Sequence, residues 1–537
     1  MHMSQDARID EERSTQNRAA ILNIDYTDTS LMAEKPLYKD IIPLSQMQQF
    51  RVIPLTADKS NIIFGITTTT SQQTMNTLTH HFTDQKIAFT LISDTGFREY
   101  MALYDPPKKV IYEDIELNTA GTDELIARVS QSLDQVRADD MLAYIVDQAH
   151  RLSASDIHLE TTPEGARIRL RIDGVLHPIA ELNREKYRIL IGAIASAASV
   201  STNSDEPQQG HIAKEVRMAD GAEVSVNLRV ETVPTINDMD VVMRLFNMDQ
   251  SMYNLDRLGL SDDQRKVVDD IIAKPSGLVM VVGPTGSGKT TTLYSILNTL
   301  SNDERKIITV EDPVEYQFRG ITQISIKSAA AGNDGRFAEN LRAILRLDPD
   351  IVMVGEIRDE ETARTALQAS LTGHLVLCTF HASSASAALT RLSDVIGKNP
   401  LFVSAIRLVM AQRLIRRLDD ATKQPYAATE NELKIITSVL STLPSSIAKP
   451  DISNLTLYKP GSSEENPYGF KGQIAVREQF TMTSELQKLL EHHDDVLSSQ
   501  EIEEAAVKSG MRTMVQDAIL HVVAGETTLT EVFRVVG

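Results

Sequence analysis

At 537 residues the chain is longer than one hydrophobic core can serve, and roughly three or four domains are expected of it. Hydrophobic residues make up 42% and charged residues 24%, the balance of a globular protein, which excludes a disordered or fibrous chain. A net charge of −20 argues against nucleic acid as a primary ligand, because binding to phosphates along a strand draws on surplus Lys and Arg.

Met1-His2-Met3-Ser4-Gln5-Asp6 has no basic segment followed by an apolar one, so no secretory signal is expected. The longest apolar runs, Gly277 to Val282 and Leu190 to Val200, fall short of the roughly 20 residues that cross a bilayer. Cys378 is the single cysteine and can form no disulfide within the chain, which fits a reducing compartment. A cytoplasmic protein is expected.

Residues 1–120 read as a small α/β domain with strand-like runs at Phe50 to Leu55 and Asn61 to Ile66, ending in a linker marked by Pro106-Pro107-Lys108-Lys109 and Asn118 to Gly121. Over 121–248 the spacing of Leu142, Ile145, Val146 and Ala149 predicts a helix, and alternating Ile168, Leu170 and Ile172 predict a strand. That domain is α+β. In 249–417 an apolar strand, Leu278 to Val282, runs into a glycine-rich turn and a helix through Leu300. Further strands at Ile307 to Val310, Ile351 to Val354 and Leu375 to Phe380 alternate with helices and predict a parallel sheet. Arg413 to Arg417 are assigned to a helix. From 418 to 470, Ser, Pro, Asp and Asn with weak periodicity predict an irregular insertion, and from Ser484 to residue 537 the pattern is helical.

Gly283-Pro284-Thr285-Gly286-Ser287-Gly288-Lys289-Thr290 meets the phosphate-loop pattern in the strand-to-helix context that the chemistry requires. Its glycines turn backbone N–H groups around phosphates, Lys289 reaches the terminal phosphates, and the Thr290 hydroxyl ligates magnesium. ATP and magnesium are the implied ligands. Phosphoryl transfer also needs carboxylates to orient water and complete the metal shell. Two acidic clusters end predicted strands, Glu311-Asp312-Pro313-Val314-Glu315 and Glu356-Ile357-Arg358-Asp359, where ligands of open α/β sheets gather. A third strand leads into His381. A solvated acidic loop and a structural histidine are the plain alternatives for these groups taken singly.

Together the phosphate loop through Thr291 to Tyr294, Val310 to Glu315, Leu341 to Asp359 and Thr372 to His381 resemble the type II secretion and type IV pilus assembly ATPases. The resemblance extends to Ala154 to Glu160, to Arg167 to Leu176 and to Gly510 to Val532. It implies a RecA-like P-loop ATPase core with a parallel sheet, preceded by α+β N-terminal domains and followed by a helical C-terminal region. It implies Glu356 as general base, Glu311 and Asp312 near magnesium and the lytic water, and His381 as sensor of the γ-phosphate. The family's arginine pair falls on Arg229 and Arg244, here expected to act on a neighbouring subunit's nucleotide.

The implied assembly is a homohexameric cytoplasmic ring that turns an inner-membrane platform protein and docks a cytoplasmic assembly protein through its N-terminal domain. Retraction motors resemble the chain only from the second domain onward, so the N-terminal domain favours extension or secretion over retraction. A nucleotide-gated scaffold and a nucleic-acid translocase are the competing readings. Intact Lys289 and Glu356 speak against the first, the acidic charge against the second. Many members carry two Cys-x-x-Cys pairs for zinc after the segment holding Arg413 to Arg417. This chain has none there, so no zinc is expected. Where relatives show Asp-Gly-Arg, it has Gln209-Gly210-His211.

Overall fold

A computed structural model describes the chain except at residues 1–4, 33–34, 59, 105–114, 116–121, 137–139, 218–222, 248–252, 327–334, 398–399, 464–465, 467 and 493–497. It divides into two units, Met1–Ile111 and Tyr112–Gly537. The first boundary thus falls somewhat before residue 120, and the expected linker segments Pro106 to Lys109 and Asn118 to Gly121 lie outside the described residues.

In the first unit, β1 (Asp25–Tyr26), β2 (Val52–Ala57), β3 (Asn61–Ile66) and β4 (Lys86–Leu91) form one sheet in the order β1-β4-β3-β2. Val52, Ile53, Ile62, Phe64 and Ile66 pack with Leu78, Phe97 and Tyr100 from the helices Gln72–His81 and Asp94–Tyr104. This is the small α/β domain that the two apolar runs predict.

The second unit begins with helices Thr122–Gln135 and Met141–Arg151, and Leu142, Ile145, Val146 and Ala149 form the buried stripe their spacing predicts. They cover an antiparallel sheet of β5 (Ala154–Thr161), β6 (Gly165–Ile172), β7 (Val175–Asn183), β8 (Gln208–Arg217), β9 (Glu223–Pro234) and β10 (Met239–Asn247). Its order is β7-β6-β5-β10-β9-β8.

The core sheet is built on β11 (Gly277–Val282), β12 (Ile307–Glu311), β13 (Ile321–Ser325), β14 (Ile351–Val354), β15 (Leu375–Phe380) and β16 (Ile406–Leu418). After a small pair, β17 (Gln424–Ala427) with β18 (Thr456–Lys459), β19 (Phe470–Thr481) joins the core sheet. The order is β13-β12-β14-β15-β11-β16-β19, with every pair parallel except β16 with β19. β11 lies between β15 and β16 and is buried along its whole length, which is why it reads as one continuous apolar run.

Two sequence expectations change here. Arg413 to Arg417 belong to strand β16, not to a helix: they pair with β19, a partner distant in sequence, and their mixture of arginine and apolar residues shows no clean alternation. Residues 418–470 are not irregular. Thr429 and Glu432 form a reciprocal cap on the helix Glu430–Ser441, and the β17–β18 pair lies beside it in sequence. Because β16 and β19 belong to the core sheet, the ATPase core extends beyond residue 417.

Arg477 on β19 is 1% exposed and donates to the carbonyls of Leu258 at 2.7 Å and Gly259 at 3.4 Å. The segment that leads from the second domain into the core is thereby tied to the sheet. Elsewhere along the same stretch of chain, Gly472 N–H donates to Asp173 Oδ2 at 2.9 Å, and the rings of His177 and Tyr468 lie 4.3 Å apart. These contacts hold the antiparallel sheet against the core within one chain.

Candidate active site

The phosphate loop leaves β11 and enters the helix Lys289–Leu300, with Gly286 and Gly288 at φ of 77° and 81°, values that side chains resist. Lys289 Nζ donates to the carbonyls of Gly283 at 3.0 Å and Pro284 at 2.9 Å, so its ammonium stands at the mouth of the loop. Burial lowers its pKa, Glu356 and Glu315 oppose that shift, and Arg413 adds to it. Ser287 is 3% exposed, yet its hydroxyl meets no protein partner. A buried, unpaired hydroxyl inside a loop of this shape fits a phosphate oxygen as its partner. Thr290 and Thr291 open the helix and are partly exposed.

The parallel register then brings two distant motifs together. Val354 pairs with Cys378, and Thr379 Oγ1 donates to the Gly355 carbonyl at 2.5 Å. Glu356 and His381, just past these strand ends, therefore meet: His381 Nε2 is 2.6 Å from Glu356 Oε1. Arg358 Nε donates to Glu356 Oε2 at 2.6 Å, and the same guanidinium lies 3.6 Å from Asp312 Oδ2. Each carboxylate oxygen of Glu356 is thus held by a different cation or ring, a fixed orientation suited to receiving a proton. Burial lowers the pKa of His381, with Glu356 pulling the other way, so the neutral ring is favoured.

Glu311 is the last residue of β12. It is 3% exposed, and Thr309, Tyr294 and Gln323 all donate to its carboxylate, Gln323 at 3.2 Å. The carboxylate braces the end of β12 against the loop helix instead of facing outward. Glu315, four residues on, is half-buried, and the charges of Arg244, Arg229 and Lys289 lower its pKa. Burial and Glu311 push the Glu315 carboxyl up to about 7, against the pull of those three cations.

Arg229 and Arg244 stand directly opposite each other on β9 and β10. Like charges in that position are destabilising, and the sheet offsets the cost with neighbours. Arg244 Nε donates to Asp156 Oδ1 at 2.8 Å, and Arg229 Nε to Glu231 Oε1 at 2.8 Å. Register extends the row, with Arg171 opposite Asp156 and His211 opposite Arg229. His211 therefore occupies the end of a cationic row at the Gln209-Gly210-His211 departure. Within the chain, the charges of both arginines also lower the pKa of Glu315.

A family model described as type II/IV secretion system protein matches residues 131–534. The chain belongs to that family. Two curated relatives set the level of similarity. The type II secretion system protein E of Pseudomonas aeruginosa is 43% identical over 394 residues, 73% of this chain and 74% of the relative. The type II secretion system ATPase E of Vibrio cholerae is 35% identical over 434 residues, 79% and 82% of the two chains. Among solved structures, the DotB ATPase of Legionella pneumophila aligns with a TM-score of 0.52 at 23% identity, covering 74% of this chain and 95% of that one. The DotB ATPase of Yersinia pseudotuberculosis gives 0.54 at 19%, covering 80% and 98%. These likenesses show the P-loop ATPase fold.

In this member of the secretion ATPase family, reading the motifs alone assigns Arg358 and Glu315 no role although both lie inside quoted segments. Their signal is three-dimensional, because strand ends that are neighbours in the sheet lie some 45 residues apart in sequence, as Glu311 and Glu356 do. Among the described residues no group of three or more His, Cys, Asp or Glu side chains is arranged to hold a metal, and no helix is long and apolar enough to cross a membrane. A magnesium ion bound through phosphates needs only one or two protein oxygens.

Glu315 also sets a pH dependence. Its folded pKa lies above the ordinary value of 4.5, so its contribution is fully present below 4.5 and is lost as pH rises through about 7. Nucleotide-free protein should lose up to about 3 kcal/mol of stability across that window through this group. Thermal midpoints of the wild type and Glu315→Gln, measured from pH 4.5 to 7.5, should show the decline in the wild type and a flatter course in the variant.

Proposed function

We propose that the chain is a cytoplasmic motor ATPase that powers assembly of a type II secretion pseudopilus or a type IV pilus. The observation that carries the reading is Glu356, clamped by His381 and Arg358 at the strand ends and close enough to act on the Lys289 ammonium. Glu356 takes the proton of the attacking water, and Lys289 with the loop N–H groups holds the phosphates. His381 reports whether the γ-phosphate is in place through its contact with Glu356. Arg229 and Arg244 meet charge on the terminal phosphate, and their charges already act on Glu315 of the same chain. Magnesium, when bound at Thr290 and Asp312, neutralises phosphate charge. Asp312 is oriented for this by Arg358, and Glu311 fixes the strand end.

Closing the antiparallel sheet onto the core around ATP, and reopening afterwards, is the rigid-body motion that work would be drawn from. A homohexameric ring would pass that motion to an inner-membrane platform protein, with the first unit docking a cytoplasmic assembly protein. The type II secretion names of the curated relatives support this setting. The test is phosphate release by purified full-length protein with magnesium, with and without DNA, beside native mass spectrometry. Magnesium-dependent release unchanged by DNA, from a six-chain species, is expected. Absent release from folded protein, or release that requires DNA, overturns the reading.

A further inference from the structure

Gln412 lies on β16, beside the phosphate-loop strand, and is 1% exposed. Burying an amide is costly unless its donor and acceptor are both met, and both of its ends meet the phosphate-loop segment. Nε2 donates to the Ser287 carbonyl at 2.5 Å, and Oε1 accepts from the Thr292 hydroxyl at 2.9 Å. Thr292 is itself 1% exposed and sits in the first turn of the loop helix. Gln412 also touches the loop where it begins and ends. A Cβ at Gly283 would lie 2.6 Å from the Gln412 carbonyl oxygen, and one at Gly288 would lie 2.9 Å from Nε2. The strand register explains the placement: Ala411 pairs with Val282, the last residue of β11, so the next residue of β16 arrives where the loop departs.

The peptide geometry gives this contact a consequence. In a planar trans peptide the C=O and the following N–H point in opposite directions. Holding the Ser287 carbonyl against Gln412 therefore aims the Gly288 N–H away from β16, toward the concave side of the loop. The Thr292 hydrogen bond fixes the helix that carries Lys289 and Thr290 against the same side chain.

We propose that Gln412 is a positioning residue for the nucleotide, acting on the phosphates through the Ser287–Gly288 peptide and the loop helix. The proposal rests on reading Gly283 to Thr291 as a phosphate loop. Because a loop N–H bonds phosphate equally in the ground state and the transition state, its misalignment weakens binding and leaves chemistry nearly intact.

Gln412→Met keeps the length and removes both hydrogen bonds. Gln412→Glu keeps an acceptor for Thr292 and sets a carboxylate oxygen against the Ser287 carbonyl. Thr292→Val keeps the branched shape and frees one end of the amide. Titration of full-length protein with fluorescent Mg-ADP and Mg-ATP should show affinity reduced about tenfold or more in both Gln412 variants, and about threefold in Thr292→Val. KM for ATP should rise in step while kcat changes by less than about threefold. Unchanged affinities together with a lowered thermal midpoint would reduce Gln412 to a core residue and overturn the proposal. If Gln412→Met does not fold, Gln412→Glu and Thr292→Val decide by the same criterion. Wild-type protein that binds no nucleotide would defeat the phosphate-loop reading itself. Wild type and variants that bind equally would defeat the role of Gln412 alone.

Discussion

Glu356→Gln binds Mg-ATP with nearly wild-type affinity and releases phosphate about 10² to 10⁴ times more slowly, the range expected for removing a general base. The amide preserves the length of the side chain but cannot take up the proton of an attacking water. It also places an NH₂ group where one carboxylate oxygen accepts from Arg358 or meets His381, so the contacts at 2.6 Å loosen on one side. Lys289 and the loop are untouched, which is why binding persists. Single-turnover phosphate release beside a fluorescent-nucleotide titration checks both halves. Turnover within about twofold of the wild type would remove Glu356 from the role of base. Equal loss of binding and turnover would make it a structural support of Lys289.

Arg244→Ala and Arg229→Ala each lower kcat by about 10³ or more if the guanidinium stabilises charge on the terminal phosphate as such arginines do elsewhere. Thermal stability gives an independent readout. The two side chains are direct cross-strand neighbours of like charge, so deleting either relieves repulsion, while Arg244→Ala also removes the hydrogen bond to buried Asp156 and makes Arg229→Ala the cleaner case. A large rate loss at an unchanged thermal midpoint therefore separates a functional role from a structural one. Mixing variants tests whether the arginines act within one chain or across a subunit boundary. If each site uses its own arginines, assemblies of Arg244→Ala chains with Glu356→Gln chains contain no complete site and stay inactive. Activity that returns in assemblies confirmed as mixed by mass spectrometry would show that the arginines act across a subunit boundary.

The parts of this protein that were legible in the sequence are those in which neighbours in the chain are also neighbours in space. The phosphate loop is one: a strand, a glycine-rich turn and a helix, contiguous from Gly277 to Leu300, with a pattern that few other structures satisfy. The helix Met141–Arg151 is another, since a buried stripe at helical spacing depends on its own residues. Strand β16 defeated the same method because its pairing partners β11 and β19 are distant in sequence and residues 408–412 are buried on both faces, leaving no period to read there.

Tertiary structure decided what each charged group does. Glu311 and Glu315 sit in one acidic segment, yet strand packing turns the first onto Tyr294, Thr309 and Gln323 and leaves the second under the field of Arg229, Arg244 and Lys289. The pairing of Glu356 with His381 follows from parallel strands that put Val354 beside Cys378. Gln412 gave no signal in a run of residues assigned to a helix, and it acquires a role only because β16 lies against β11. Local pattern specifies which residues bind phosphate, since that geometry is built by consecutive backbone. Which carboxylate is clamped beside His381 and which braces a strand end depend on sheet register, which is set by burial of the whole core.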